Sequence, residues 1–66
     1  MDSRMFGRRV MMTAEEKGIK YSYIAKQLGM SRQLLYSKMM GDNMWKIDEA
    51  SKVMKLLNMP AEIMYE

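Results

Sequence analysis

The feature that most constrains the fold of this chain is the spacing of its apolar residues between glycines. Apolar residues recur at intervals of three and four along almost the whole sequence, which is the period of an amphipathic helix. Gly18, Gly29 and Gly41 each follow one such stretch, and a helix commonly ends in a left-handed residue that glycine adopts most easily. Runs of β-branched residues and Asn-Gly or Asp-Gly hairpin signals are absent. The sequence therefore predicts an all-α fold.

This pattern predicts five short helices in a single domain that spans residues 1–66. Their expected extents are about Arg4–Lys17, Tyr21–Leu28, a third helix capped by Ser31, Ile47–Leu57, and a last short turn that begins at Pro60. The residues expected to face the core are Phe6, Val10, Ala14, Ile24, Ala25, Leu28, Leu35, Met39, Ile47, Ala50, either Val53 or Met54, and Leu57. Trp45 is expected to anchor the loop before the fourth helix onto this core.

The side-chain inventory excludes several kinds of chemistry. The chain has no cysteine and no histidine, so thiolate or histidine metal sites and Ser-His or Cys-His nucleophiles cannot form. We therefore expect no enzymatic activity, no metal, no cofactor and no small-molecule ligand. No stretch approaches the roughly 20 apolar residues of a membrane span, and the first residues lack the apolar segment of a secretion signal. A cytoplasmic location is the expectation.

Positive charge is concentrated in the first two-thirds of the chain. Residues 1–41 contain eight Lys/Arg against three acidic residues, a net charge of +5, whereas residues 42–66 contain three against five, a net charge of −2. Two interpretations are open, namely ordinary solvated faces or a basic surface that meets a polyanion. The 11 methionines are likewise compatible with flexible core filling or with an adaptable groove or dimer surface.

The second and third expected helices are joined by a short turn of the helix-turn-helix kind. Ala25 is small where the next helix crosses closely, Gly29 suits a left-handed turn four residues later, and Met30 follows to pack beneath that turn. The third helix contains no acidic residue and begins with Arg32 and Gln33, which are polar and do not belong to the apolar spacing that faces the core. Taken together, these conditions are more specific than any one of them alone.

The chain resembles the Cro/C1-type (lambda-repressor-like, XRE) helix-turn-helix family, in particular its small phage and prophage regulators, over about Phe6–Met64. The resemblance is carried by "IKYSYIAKQLGMSRQLLYSKMMG" and by "MWKIDEASKVMKLLNMP". It implies a compact five-helix DNA-binding domain, with a helix-turn-helix at about residues 21–40 and the third helix in the major groove. It also implies a homodimer on a palindromic operator, in the cytoplasm or nucleoid of a bacterial host. Lys20 and Tyr21 depart from the Thr-Gln of many members, and Lys38 departs from an apolar residue.

A helix that enters the major groove must present hydrogen-bonding side chains at its front, because such groups read base edges. The residues expected to contact bases are Arg32, Gln33, Tyr36 and Ser37. The residues expected to contact phosphates are Tyr21, Ser22, Lys26, Ser31, Lys38, Asn43 and Lys46. Tyr36 can instead cover the edge of the core, Ser31 can act only as a cap, Asn43 can act only as a turn residue, and each lysine can be plain surface. Leu34 is expected to pack in the core, and its alternative is to lie partly exposed beside the groove.

These patterns predict a sequence-specific regulator of transcription that binds double-stranded DNA, a Cro-like repressor that acts by promoter occlusion. The alternative is a helix-turn-helix protein-interaction module or an antitoxin-like partner of another protein, against which Arg32 and Gln33 argue. A homodimer through the C-terminal part is also expected. The apolar residues in that part, which exceed what one short turn readily buries, are Met59, Ile63, Met64 and Tyr65. Their alternative role is to fold back onto the first helix and the core.

Overall fold

The computed structural model describes residues 3–60 of the chain, and those residues form four α-helices without any strand. The helices are α1 Ser3–Lys17, α2 Tyr21–Leu28, α3 Arg32–Met39 and α4 Ile47–Leu56. The all-α class and the first four expected helices are confirmed. The fifth helix, expected from Pro60 onward, lies outside the described residues. Within residues 3–60, no helix is both long enough and apolar enough to cross a membrane.

The helix ends follow from left-handed residues at the expected glycines. Gly29, with φ 70°, ends α2, and the amide of Met30 donates to the carbonyl of Ala25 at 3.0 Å. Gly18 and Gly41 also have positive φ. α4 ends within one residue of the expected position, and the left-handed residue there is Asn58, with φ 55°. Asparagine is the residue that most often replaces glycine at this position.

The core lies where α1 packs on α3 and where α2 packs on both α3 and α4. The buried residues that the sequence predicted are Phe6, Val10, Ala14, Ile24, Ala25, Leu35, Met39, Ala50, Val53 and Leu57, and Met54 is buried as well as Val53. Leu28 is partly buried against this cluster. Trp45 anchors its loop as expected, with its ring edge-on to Phe6 at a centroid distance of 5.3 Å.

Three apolar residues differ from the expectation. Ile47 is 75% exposed, because it stands in the first turn of α4, beyond the edge of the core, where Trp45 already packs on Phe6. Leu34 is 39% exposed, because the inward side of α3 is filled by Leu35 and Met39. Met59 is buried within the chain. The predictions of a buried Ile47, a core Leu34 and a Met59 available to a partner are therefore wrong.

Gly7 permits a close approach that the sequence pattern did not predict. It is buried on α1, and a Cβ atom at this position would lie 2.6 Å from the backbone carbonyl oxygens of both Lys38 and Met39. A real Cβ never comes so close to another backbone, so only glycine fits here without displacing α3. The position of α3 therefore depends on this one residue of α1.

Candidate nucleic-acid interface

An open groove of about 950 Å³ lies between the second half of α1, the start of α2 and the first half of α3. We call it the α1–α2–α3 groove. The residues that line it are Met11, Glu15, Ile19, Lys20, Tyr21, Ser22, Arg32, Gln33 and Tyr36. Five of these were predicted to contact DNA, three of them as base readers and two as phosphate contacts. The fold thus gathers predicted sites of both kinds, from two different helices, along one depression.

The front of α3 carries the predicted base readers in an exposed position. The hydroxyl oxygen of Ser31 accepts a hydrogen bond from the amide of Leu34 at 3.1 Å, so Ser31 is the N-cap that the sequence predicted. Arg32 and Gln33 follow in the first turn and are exposed. Tyr36 comes one turn after Arg32 on the same side and is 51% exposed, so it does not close the core edge.

The start of α2 lies on the same groove. Its N-cap residue, Lys20, has an extended backbone and makes no side-chain cap hydrogen bond. A helix N-terminus with first-turn amides that lack a side-chain cap attracts anions through those amides and through the positive end of the helix dipole. Ser22 and Lys26 are both exposed, one turn apart on one side of α2. Two of the three phosphate contacts predicted on α2, Ser22 and Lys26, therefore share a face.

One carboxylate of α1 also lines the groove, which the sequence did not indicate. The hydroxyl of Tyr21 donates to the Glu15 carboxylate at 2.8 Å. Partial burial, followed by this hydrogen bond and the negative charge of Glu15, raises the pKa of Tyr21 to about 12. The hydroxyl proton of Tyr21 is therefore committed to Glu15, and a phosphate at this helix start would be bound by the backbone amide instead. Only the tertiary fold brings the two residues together.

The remaining predicted residues lie at the other end of α3, away from the groove. Ser37 is partly buried, and its hydroxyl oxygen accepts a hydrogen bond from the side-chain amide of Asn43 at 2.7 Å. Asn43 and Lys46 are exposed in the loop between α3 and α4. Ser37 stands one turn after Gln33, so this loop adjoins the same side of α3 as the base readers.

Lys38 does not belong to the interface. Its side chain is only 6% exposed, and its ammonium group forms an ion pair with the Glu49 carboxylate at 2.7 Å. The same ammonium donates to the backbone carbonyl of Met44 at 2.9 Å. A phosphate contact would require both interactions to break, so the prediction of such a contact for Lys38 is wrong. The spacing of a lysine on a helix does not reveal a partner 11 residues away.

Comparison with family models, with curated proteins and with solved structures finds no match to this chain. The case for a function therefore rests on the residues of the α1–α2–α3 groove and on the loop between α3 and α4.

Proposed function

We propose that this protein is a sequence-specific regulator of transcription that binds double-stranded DNA through α3 in the major groove. In this proposal α2 and α3 form the helix-turn-helix, and the protein acts as a Cro-like repressor by occluding a promoter. The family resemblance of the sequence and the arrangement of exposed side chains along α3 both support it.

The observation that carries the proposal is the exposed, acid-free front of α3. Arg32 and Gln33 are exposed in its first turn, and no residue of α3 is acidic. Arginine pairs in bidentate fashion with guanine and glutamine does so with adenine, both at the major-groove edge. Tyr36, exposed on the same side, adds a ring that can touch a thymine methyl group.

The start of α2 supports a backbone contact beside these base contacts. Tyr21 and Ser22 of its first turn line the same groove as Arg32 and Gln33, and Lys26 is exposed one turn after Ser22. Phosphate contacts fix the register of a protein on the duplex, whereas base contacts carry sequence information. Both kinds of group are thus available along one depression of the surface.

Selection of bound sequences from random duplex DNA tests the proposal. The full chain and the Arg32→Ala/Gln33→Ala double variant are each incubated with the same library at physiological salt. We expect the wild type to enrich one motif and the double variant to enrich none, while circular dichroism shows both to be helical. No enrichment by the wild type, or the same motif enriched by the double variant, would overturn the proposal.

A protein-interaction module or antitoxin-like protein is the second candidate, and one observation favours it. Met44, in the loop before α4, is 77% exposed, and Ile47, the first residue of α4, is 75% exposed. Large apolar side chains so exposed are typical of protein contacts when they are contiguous. This candidate predicts that Met44→Ser/Ile47→Ser abolishes the binding of the partner protein without changing the affinity of the chain for any DNA duplex.

A further inference from the structure

Lys38 is a charged residue in the core of a very small protein. Its side chain is 6% exposed, and its ammonium group donates to the Glu49 carboxylate of α4 at 2.7 Å and to the Met44 carbonyl of the preceding loop at 2.9 Å. Its backbone carbonyl accepts a hydrogen bond from the Trp45 indole at 3.1 Å. One residue of α3 is therefore bonded to two positions of the loop and to the next helix.

Two further side-chain hydrogen bonds attach this loop, in addition to backbone hydrogen bonds from the amides of Asp42 and Asn43 to the carbonyl of Ser37. Glu49 accepts a bond from the backbone amide of Lys46 at 3.0 Å, and Asn43 donates to Ser37 at 2.7 Å. The loop is thus fastened to α3 and α4 along its length. Asn43 and Lys46, both exposed, are the two loop residues predicted to contact phosphates.

Stability alone does not account for a buried ion pair. Taking two charges out of water costs about as much as their attraction returns, and an apolar pair of similar volume is often equally or more stabilising. A charged pair does supply direction, because the three donors of an ammonium group must meet acceptors at fixed positions. Here those acceptors are the Met44 carbonyl and the Glu49 carboxylate, so the pair fixes the course of the loop.

We propose that Lys38 and Glu49 are positioning residues for DNA, which hold Lys46 against the phosphate backbone at the far end of α3. The inference rests on the proposed DNA-binding function and adds the requirement that the phosphate contact of Lys46 depends on a buried pair that touches no DNA itself, whereas Asn43 is held by Ser37. It separates the interface into a part on α2 that is independent of the pair and a part in the loop that depends on it.

A double variant without the pair tests this inference. Lys38→Met/Glu49→Leu removes both charges, and we expect its melting temperature to stay within a few degrees of the wild type, or to rise. Its affinity should fall about tenfold on selected and random duplexes alike, and the slope of log K against log salt should flatten by about 0.9, the loss of one phosphate contact. Unchanged affinity and slope in this folded variant would overturn the inference.

Lys46→Ala is made both in the wild type and in Lys38→Met/Glu49→Leu. It distinguishes a loss of positioning from a general weakening of DNA binding. We expect it to weaken binding about threefold to tenfold in the wild type and to have no effect without the pair, because an unheld Lys46 contributes little. Lys26→Ala on α2 is the matched control and should weaken binding equally in both backgrounds. If Lys46→Ala lowered the DNA affinity equally in the wild type and in the variant without the pair, the inference would be overturned.

Two other outcomes are distinguishable from these. If Lys38→Met/Glu49→Leu fails to fold, Lys38→Gln/Glu49→Gln replaces it, since this pair stays polar but is too short at position 38 to reach both acceptors. We expect this variant to show the same flattened slope of log K against log salt. Lys46→Ala should again have no effect on DNA affinity when it is added to this variant. A wild type that binds no duplex at any salt concentration would reject the DNA-binding proposal itself, and the positioning role with it.

Discussion

Gln33 and Gln27 place the same side chain in two different surroundings, which makes them a matched pair for testing base recognition. Both are exposed. Gln33 lines the α1–α2–α3 groove at the front of α3, whereas Gln27 lies near the end of α2 beside Lys52 and Lys55 of α4. Composition and solvent exposure are therefore held constant, and only the position relative to the candidate interface changes.

We expect Gln33→Ala to cost about 1–3 kcal/mol of binding free energy on the selected sequence, because a bidentate contact to one base is lost. It should have little effect on random duplex, and Arg32→Ala should behave in the same way. Gln27→Ala should change neither the affinity for the selected sequence nor the affinity for random duplex. Fluorescence titration of labelled duplexes at one salt concentration measures all three variants. Equal losses on selected and random DNA for Gln33→Ala would show that Gln33 does not read a base.

Glu49 gives the stability of the protein a pH dependence whose sign follows from its environment. Burial by itself would raise the pKa of this carboxyl group, but hydrogen bonds from Lys38 and from the Lys46 amide outweigh it and lower the pKa below the ordinary 4.5. A carboxyl group with a lowered folded-state pKa stabilises the fold above its unfolded-state pKa. This stability is lost as the pH falls through the folded-state value.

We expect the free energy of unfolding to fall as the pH drops below about 4.5. Glu49→Gln should remove the part of this loss that comes from protonation of Glu49. At neutral pH the same variant should be about 2 kcal/mol less stable, because the ammonium group of Lys38 loses its charged hydrogen-bond acceptor. Urea unfolding between pH 7 and pH 3 measures both effects. Parallel pH curves for the wild type and Glu49→Gln would contradict the expectation.

The four described helices are the elements for which the sequence was most informative. Their extents follow from apolar spacing and from glycines, which act locally and can be read without a structure. Relations between helices could not be predicted in the same way. The burial of Lys38 depends on Glu49 in another helix, and the exposure of Ile47 depends on Trp45 filling the core edge. The end of α4 was predicted to within one residue, but its left-handed residue, Asn58, was not identified, because asparagine is a weaker stop signal than glycine.

The contact between α1 and α3 yields a prediction at the scale of these elements. Gly7→Ala should lower the free energy of unfolding by about 1–3 kcal/mol, because the added methyl would lie 2.6 Å from two carbonyl oxygens of α3. In an open helix the same change would stabilise by roughly 0.5–1 kcal/mol, since alanine is the better helix former. The sign of the effect therefore decides whether the contact exists.

Urea unfolding measures this effect. Thr13→Ala, in the same helix, is the control for helix propensity. A Gly7→Ala protein more stable than the wild type would contradict the packing of α1 on α3 described above. A destabilised but folded variant should also bind DNA less tightly, because the added methyl would displace α3, which carries Arg32 and Gln33.

At the scale of the whole molecule, the fold brings together part of the set of residues that were predicted to contact DNA. Five predicted residues line one groove, since the turn between α2 and α3 is short and fixes which faces meet. The sequence could not indicate that Glu15 enters that groove, because α1 is separated from α2 by a turn whose course depends on packing. Nor could it show that Met59 is buried, which removes this residue from the expected dimer surface.

The size of the molecule leads to the last prediction, a homodimer on an inverted repeat. Residues 3–60 extend over 26 × 23 × 18 Å, whereas recognition helices that read successive major grooves lie about 34 Å apart. A single copy therefore reads one half-site, and two copies are needed to read a palindrome. We expect two chains per operator and one per half-site by sedimentation. Deletion of residues 63–66 should weaken operator binding far more than half-site binding, because it removes Ile63, Met64 and Tyr65. A chain that stays monomeric both at high concentration and on the operator would contradict the dimer.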